Sequence, residues 1–291
     1  MASIDTTATD VALPVMSSEA TVIERTARPA TAASLTGDLR ELGLGPGDVV
    51  ITHASLSRLG WVAGGAQAVV EALLAAVGPT GTVVMPAQTG QLSDPANWVD
   101  PPVPADWIDD VRAGLPAFDR AITPTRGMGH VAECFRGHAD AERSSHPLVS
   151  FVAVGPLADE IVGHHPLAPA LGDESPLGRL YDRDATVLLL GVDHGDNTSL
   201  HLAEHRSTWD GRADVVEGAP ISSDGERRWI EFSDLDRDDS DFACVGDAFA
   251  AAGSERRGTV GAGPGRLCRQ REIVDFAVPW FTANRPGSLD T

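Results

Sequence analysis

Two strand-like segments with a helix between them limit the folds open to this chain. The segment "VVITH" at residues 49–53 is rich in β-branched residues, and "GTVVMP" at residues 81–86 ends in a proline. Between them, "AQAVVEALLAAVG" at residues 66–78 has helical spacing of its apolar residues and ends at a glycine. This succession predicts a parallel sheet layer whose active loops lie at the carboxyl ends of the strands.

The same alternation continues along the chain. Strand patterns follow at residues 146–155 ("HPLVSFVAVG"), 185–190 ("ATVLLL") and 227–235 ("RRWIEFSDL"). Helical patterns are found at residues 32–44, 129–138 and 156–165 and in the tail "GRLCRQREIVDFAVPWF" at residues 265–281. An α/β fold is therefore predicted.

The chain of 291 residues is 42% hydrophobic and can bury a large core. Residues 1–30 lack a sustained apolar period and are predicted to form a loose or strand-swapped arm, while residues 31–291 form one α/β domain. Residues 87–125 are irregular and rich in aspartate and tryptophan, including Asp94 and Trp98. A long irregular segment in a compact domain is usually functional, so we interpret it as a substrate-facing acidic loop. An ordinary exposed acidic loop is the alternative.

Charge and composition exclude several classes of protein. Forty-two acidic residues against twenty-two basic ones give a net charge of -20, which disfavours binding to nucleic acid or to anionic membranes and favours a polycationic ligand. Solubility alone also explains such a charge. The basic residues are all arginine, so mechanisms that use a Schiff-base or P-loop lysine are excluded. Three separated cysteines and the lack of a signal or membrane segment predict a cytoplasmic protein.

The segment "GVDHGDNTSLHLAEHR" at residues 191–206 concentrates groups capable of catalysis. On a helix, His201, Glu204 and His205 lie on one face. Their spacing fits an inverted zincin pattern, in which both imidazoles bind zinc. It also fits acid/base catalysis by an imidazole that a carboxylate orients. A solvated helix face is the third possibility.

Several linked motifs resemble the aminoglycoside 3-N-acetyltransferase family. They are "ITHASLSRLGWVAGGAQAVVEALLAAVGPTGTVVMPA", "FDRAITPTRGMGHVAECFR", "RSSHPLVSFVAVGP", "VLLLGVDHGDNTSLHLAEH" and "VGAGPGRLCRQREIVDFA", and they cover about residues 32–278. The resemblance implies an α/β fold around a central, mixed and largely parallel sheet flanked by helices, distinct from the GNAT fold. It also implies acetyl coenzyme A as the donor and an aminoglycoside amine as the acceptor.

The resemblance assigns roles to residues of the histidine helix and its surroundings. The family motif "NTxxHxAE" is matched by Asn197, Thr198, His201, Ala203 and Glu204, which makes His201 the expected catalytic base, and no metal is expected. Its expected carboxylate partner is Asp234 or Asp236, with Glu231 as an alternative. Thr198 is expected to stabilise the oxyanion or to cap the helix. The acceptor is expected to contact Asp94, Asn197, Glu204 and Glu231.

The donor-binding stretch of the family is matched by the loop after the first strand. The residues expected to bind coenzyme A are His53, Ala54, Ser55, Arg58 and Ser144. Small residues there let backbone N–H groups approach the donor, and an arginine pairs with phosphate. The chain departs from the family pattern at Ala54, where serine is usual, and at Leu202, where an aromatic residue is common.

Together these features predict transfer of an acetyl group from acetyl coenzyme A to an aminoglycoside, at its 3-amine, which confers antibiotic resistance. We expect direct transfer with a histidine base, because no cysteine lies in a recognisable nucleophile setting. The alternatives are acetylation of another small amine, a zinc hydrolase using His201, Glu204 and His205, and a protein that only sequesters a polycation. The arm and the C-terminal helix are the two segments expected to mediate a homodimer.

Overall fold

The computed structural model describes residues 19–285. The strands within this range are β1 (Val49–Ala54), β2 (Thr82–Pro86), β3 (Glu142–Arg143), β4 (Phe151–Val154), β5 (Thr186–Leu190), β6 (Asp214–Ser223), β7 (Glu226–Leu235), β8 (Arg256–Val260) and β9 (Gly263–Arg269). The α-helices are α1 (Glu19–Glu24), α2 (Ala32–Leu42), α3 (Gly65–Val77), α4 (Ile108–Gly114), α5 (Gly129–Arg136), α6 (Ala158–Val162), α7 (Pro176–Asp182), α8 (Leu200–Arg206), α9 (Phe242–Ala251) and α10 (Gln270–Asn284).

Seven of the strands form one sheet in the order β3-β4-β2-β1-β5-β9-β8. The central strand β1 pairs in parallel with β2 and β5, and the outer pairs are antiparallel. The predicted mixed sheet flanked by helices is confirmed. Parallel pairing is less extensive than predicted, because only the three central strands run together and antiparallel strands extend both edges.

Both faces of the central strands are buried. In β1, Val50 belongs to the core packed under α2 and α3, whereas Ile51 belongs to the core on the opposite face, which contains Phe242 and Phe281. Successive side chains of a strand point to opposite faces, so a strand covered on both sides has a continuous apolar sequence. This burial explains why "VVIT" and "TVLLL" show no polar alternation.

Strands β6 and β7 form a separate two-stranded sheet, paired along their whole length. Asp224 and Gly225 join them, both with positive φ (55° and 79°), and Asp-Gly is a favoured pair for a tight hairpin turn. The sequence predicted β7 but not β6, whose segment "DVVEGAPISS" contains glycine and proline. Pairing with β7 stabilises a strand that local preference does not indicate.

The C-terminal tail differs from the single helix expected at residues 265–281. Residues 265–269 belong to β9, which pairs antiparallel with β5 from Leu190 opposite Gly265 to Thr186 opposite Arg269. The helix begins only at Gln270. Without this pairing, β5 would expose its backbone N–H and C=O groups, so the ladder outweighs the helical pattern.

The described part of the predicted N-terminal arm, residues 19–30, contains a short helix. Residues 19–24 form α1, in which Val22 is 7% exposed, and Ala30 forms a parallel bridge with Val62. Residues 1–18 of the predicted arm lie outside the described residues. The acidic loop at 87–125 also contains α4 and short 3-10 turns, so it is less irregular than expected. The division into one arm and one domain stays a prediction.

Candidate active site

A cleft of about 1070 Å³ opens where β1 and β5 end. It is lined by residues 52–58 at the end of β1 and in the turn after it, by Met128 and Gly129 at the start of α5, by Thr198 before α8, and by Arg266 of β9. Ligands of α/β sheets bind at the carboxyl ends of parallel strands, where loops diverge. The parallel pairing of β1 with β2 and with β5 therefore determines where this cleft lies.

The turn that leaves β5 requires a glycine. Gly191 has a φ of 69°, and a Cβ atom there would lie 2.5 Å from Cβ of Arg58. Glycine therefore lets the two loops at the ends of β1 and β5 approach each other. That approach holds Arg58 against the cleft.

A buried imidazole connects β1 to the beginning of the histidine helix. Nε2 of His53 lies 3.2 Å from the Thr198 backbone N and 2.9 Å from its Oγ1. Burial, and to a smaller extent the nearby His194 and His201, lower the pKa of His53 to about 3. The ring is therefore neutral, and Nε2 accepts from Thr198 while Nδ1 carries the proton.

His201 and Glu204 form a close pair on α8. Nδ1 of His201 donates to Oε2 of Glu204 at 2.5 Å, and the imidazole packs at 4.9 Å from the Phe242 ring. The Glu204 side chain is fully buried, and burial alone would raise its pKa, but hydrogen bonds from His201, Arg285 and the Asp238 backbone outweigh it and lower the pKa. An ionised carboxylate on Nδ1 leaves Nε2 as the basic nitrogen.

A second buried histidine supports the segment before α8. Nε2 of His194 donates to Oε1 of Glu255 at 2.8 Å, and Nδ1 of His194 accepts from Nδ2 of Asn197 at 3.1 Å. Oδ1 of Asn197 accepts from the Ser199 N–H. Asn197 is fully buried and holds the start of the helix, and its expected contact with the acceptor substrate stays a prediction. Local patterns did not single out Glu255, which is 61 residues from His194.

The sequence matches the family model described as "Aminoglycoside 3-N-acetyltransferase" over residues 51–282. The chain belongs to this family. It is 46% identical over 264 residues to the SPbeta prophage-derived aminoglycoside N(3')-acetyltransferase-like protein YokD of Bacillus subtilis (strain 168), across 90% of this chain and 96% of that protein. Identity to aminoglycoside N(3)-acetyltransferase VIII of Streptomyces fradiae is 36% over 287 residues, across 93% and 98% of the two chains.

Solved structures of the family share the fold. The YokD crystal structure matches with a TM-score of 0.88 at 44% identity, covering 93% of this chain and 99% of that one. A binary structure of AAC-IIIb with CoASH gives 0.79 at 31% identity, covering 91% and 100%. AAC-VIa bound to sisomicin gives 0.78 at 30% identity, covering 88% and 98%. The family consists of acyltransferases, and this chain is an enzyme of that class.

The carboxylate expected beside His201 differs from the one that contacts it. Asp234 is buried, but its Oδ2 accepts from the Ala170 N–H at 3.2 Å and pairs with Arg237 at 3.1 Å. Glu231, on β7, and Asp236, just after β7, are both exposed. The ring nitrogen of His201 is bonded instead to Glu204, which was expected to contact the acceptor. A partner three residues away on the same helix lies beside His201 through helical geometry alone.

Asp94 does not present a free carboxylate in the acidic loop. Its two oxygens accept from Nε and Nη2 of Arg112 at 2.9 and 2.7 Å, and Oδ1 also accepts from the Ala96 N–H. This bidentate pair joins α4 to the loop. Contact between Asp94 and an ammonium group would have to compete with that guanidinium, so the expected role of Asp94 lacks support in the geometry.

Four of the five expected donor-binding residues lie together. His53, Ala54, Ser55 and Arg58 all line the cleft with Thr198. Ser144 does not line it. Its buried hydroxyl lies 2.9 Å from Nδ1 of His165 and accepts from the Phe151 N–H, so it stabilises the β3–β4 edge. The sequence did not single out Met128, Gly129 and Arg266, although all three lie within the motifs shared with the family.

The zinc alternative finds no site in the described part of the chain. Among residues 19–285, no three or more His, Cys, Asp or Glu residues are arranged to hold a metal ion. Glu204 accepts from Arg285 as well as from His201, so both of its oxygens are occupied.

No helix within residues 19–285 is long and apolar enough to cross a bilayer.

Proposed function

We propose that this enzyme transfers an acetyl group from acetyl coenzyme A directly to the 3-amine of an aminoglycoside, with His201 as the general base. The observation that carries the proposal is the His201–Glu204 pair, which lies one helical turn beyond the cleft-lining residue Thr198. An acceptor amine is largely protonated at neutral pH and attacks only as the free base. A neutral imidazole removes a proton in this pH range.

The cleft suits coenzyme A as the donor. Its volume of about 1070 Å³ exceeds that of most small-molecule sites and accommodates an extended cofactor. Arg58 and Arg266 both line it and can pair with phosphate groups. The related AAC-IIIb was solved with CoASH, which supports a donor of the same class here.

The reaction needs no covalent intermediate on the enzyme. The ammonium group first loses one proton to solvent, and the free amine attacks the thioester carbonyl as Nε2 of His201 takes a second proton from its nitrogen. The carbon–sulfur bond then breaks to release the coenzyme A thiolate. Glu204 stabilises the imidazolium that forms. The imidazolium then returns its proton to the leaving thiolate, which restores the base. The products are the acetamide and free coenzyme A.

Thr198, which lines the cleft, is the residue expected to stabilise the oxyanion. Its N–H and hydroxyl are both within hydrogen-bond distance of Nε2 of His53, which is an acceptor in the neutral ring. The hydroxyl can therefore donate to an oxyanion only after leaving His53. This role stays a prediction, and orientation of the loop is the role that the contacts support.

The acceptor class rests on charge and on the family. The net charge of -20 favours a polycation, and the related AAC-VIa was solved with sisomicin. Acetylation removes the positive charge of one ammonium group, which weakens a drug that binds its target through that group. Resistance is the consequence that we propose.

Thiol release from acetyl coenzyme A tests the proposal across a panel of aminoglycosides and unrelated small amines, with the acetylated nitrogen located in each product. We expect acetylation at the 3-amine and a loss of at least about 1,000-fold in His201→Ala. His164→Ala, which alters an exposed imidazole, is the control and should keep its activity. Turnover near wild type in His201→Ala would refute the base assignment. Acetylation of the unrelated amines alone would refute the acceptor class.

A further inference from the structure

The last residue that the structure describes reaches the catalytic pair. Arg285 follows α10, and its Nη1 donates to Oε1 of Glu204 at 2.6 Å across 81 residues of sequence. The other oxygen of the same carboxylate accepts from Nδ1 of His201. Glu204 therefore lies between an imidazole and a guanidinium, with one oxygen for each.

The guanidinium is itself held on several sides. Nε and Nη2 of Arg285 donate to the two oxygens of Asp241 at 2.8 and 2.6 Å, and Nη2 also donates to the Asp238 carbonyl. The group lies 4.0 Å from the centre of the Phe281 ring, and 8% of the side chain is exposed. Its N–H groups are directed at protein atoms, so the group is positioned to hold Glu204 and not to bind a substrate.

A buried carboxylate needs this compensation. Transfer of a charge from water to the interior is costly unless the charge is paired and hydrogen-bonded, and a neutral imidazole alone supplies a dipole and no charge. Without Arg285, Glu204 could take up a proton or turn away from the ring. Either change would leave His201 free to rotate or to adopt the other tautomer.

We propose that Arg285 is a positioning residue for acetyl transfer, which keeps Glu204 ionised and directs its free oxygen at Nδ1 of His201. This inference rests on the proposed role of His201 as the base. It assigns a function to the end of α10, which lies far from the cleft-lining loops in sequence. It also makes the acidic turn before α9 a support for the pair, because Asp241 holds the guanidinium in place.

Several other charged or titratable groups face the pair. They are His205 on α8, His53 on β1, and Asp238 and Asp241 ahead of α9. Arg285 supplies a positive charge directly against Glu204. Its removal therefore makes the pair hold a proton more tightly, and the base should become protonated at a higher pH.

Two substitutions separate the charge of Arg285 from its shape. Arg285→Met removes the charge, and we expect kcat to fall by roughly 10- to 100-fold with KM for acetyl coenzyme A within about twofold of wild type. The acid limb of the pH–rate profile should move to higher pH by about one unit. Arg285→Lys keeps the charge and loses the planar fork, so it should return the acid limb toward wild type and recover part of kcat.

Arg183→Met is the matched control, since Arg183 pairs with Glu160 at a half-exposed site and should leave both quantities unchanged. Wild-type kcat with an unmoved acid limb in Arg285→Met would overturn the proposal. So would equal losses in the two Arg285 variants with no change in the pH profile. If Arg285→Met fails to fold by circular dichroism, the lysine variant alone carries the test, because it must lower kcat without changing KM.

A titration of the His201 imidazole by NMR, identified by its absence in His201→Ala, separates this inference from the proposed reaction. A midpoint that moves to higher pH in Arg285→Met supports the positioning role even if no aminoglycoside is acetylated. An unmoved midpoint rejects it whether or not acetyl transfer occurs.

Discussion

Glu204 and Asp234 are both buried carboxylates near the histidine helix, and one substitution distinguishes their roles. Glu204→Gln preserves shape but replaces an acceptor of the Nδ1 proton with an amide that can present N–H groups to it. We therefore expect kcat for thiol release to fall about 100- to 10,000-fold, with acetyl coenzyme A binding unchanged. Asp234→Asn is the control, because Asp234 bonds to Ala170 and Arg237 and should alter stability more than rate. The reverse ranking of the two rates would contradict the assignment.

At the residue scale, the helical pattern placed His201 and Glu204 on one face, although the carboxylate partner expected for His201 was Asp234 or Asp236. His201 and Glu204 are three residues apart on one helix, so their contact follows from helical geometry once the helix is recognised. The partners of Glu204 and His194 could not be found in this way. Arg285 and Glu255 lie 81 and 61 residues away, and only the fold brings them to the site.

At the scale of elements, local patterns predicted the strands and helices that are buried on both faces or are strongly periodic, such as β1, α3 and β5. They missed β6, β8 and the strand at the start of the tail. The reason is visible in β8, "RRGTV", which exposes four of its five residues and depends on pairing with β9. An exposed edge strand carries no apolar period to detect.

Helix α1 provides a prediction at the same scale, because Thr26 ties it to the cleft wall. The Thr26 hydroxyl accepts from the Trp61 N–H at 2.9 Å and donates to the Val22 carbonyl. Thr26→Val leaves that N–H unpaired, so we expect a loss of about 1–3 kcal/mol in the free energy of unfolding, measured in urea. Because Trp61 and Val22 line the cleft, KM for acetyl coenzyme A should also rise. Thr282→Val on the exposed side of α10 should change neither quantity.

At the scale of the whole molecule, buried neutral histidines link stability to pH. His146 and His165 lie against each other, with ring centroids 4.8 Å apart beneath the β3–β4 edge. Burial lowers the pKa of His146 to about 4 and that of His165 to about 3, as it does for His53. Nδ1 of His146 accepts from the backbone N–H groups of residues 148 and 149, which a protonated ring could not do.

Because of these three histidines, we expect the stability of the fold to fall at pH values well above the range in which carboxylates titrate. Each has a folded pKa below the unfolded value of about 6.5, so their stabilising effect is complete above pH 6.5 and is lost progressively as the pH falls toward 3–4. At pH 5 each of the three histidines lowers the free energy of unfolding by at most about 2 kcal/mol. The free energy of unfolding should therefore be lower at pH 5 than at pH 7 by up to about 6 kcal/mol. Urea titrations at both pH values measure the difference. His165→Gln should reduce it by about a third, whereas His164→Gln, at an exposed neighbour, should not. Equal stability of the wild type at pH 7 and pH 5 would mean that the buried rings take up protons in the folded state as readily as in the unfolded chain, which would contradict the lowered pKa values.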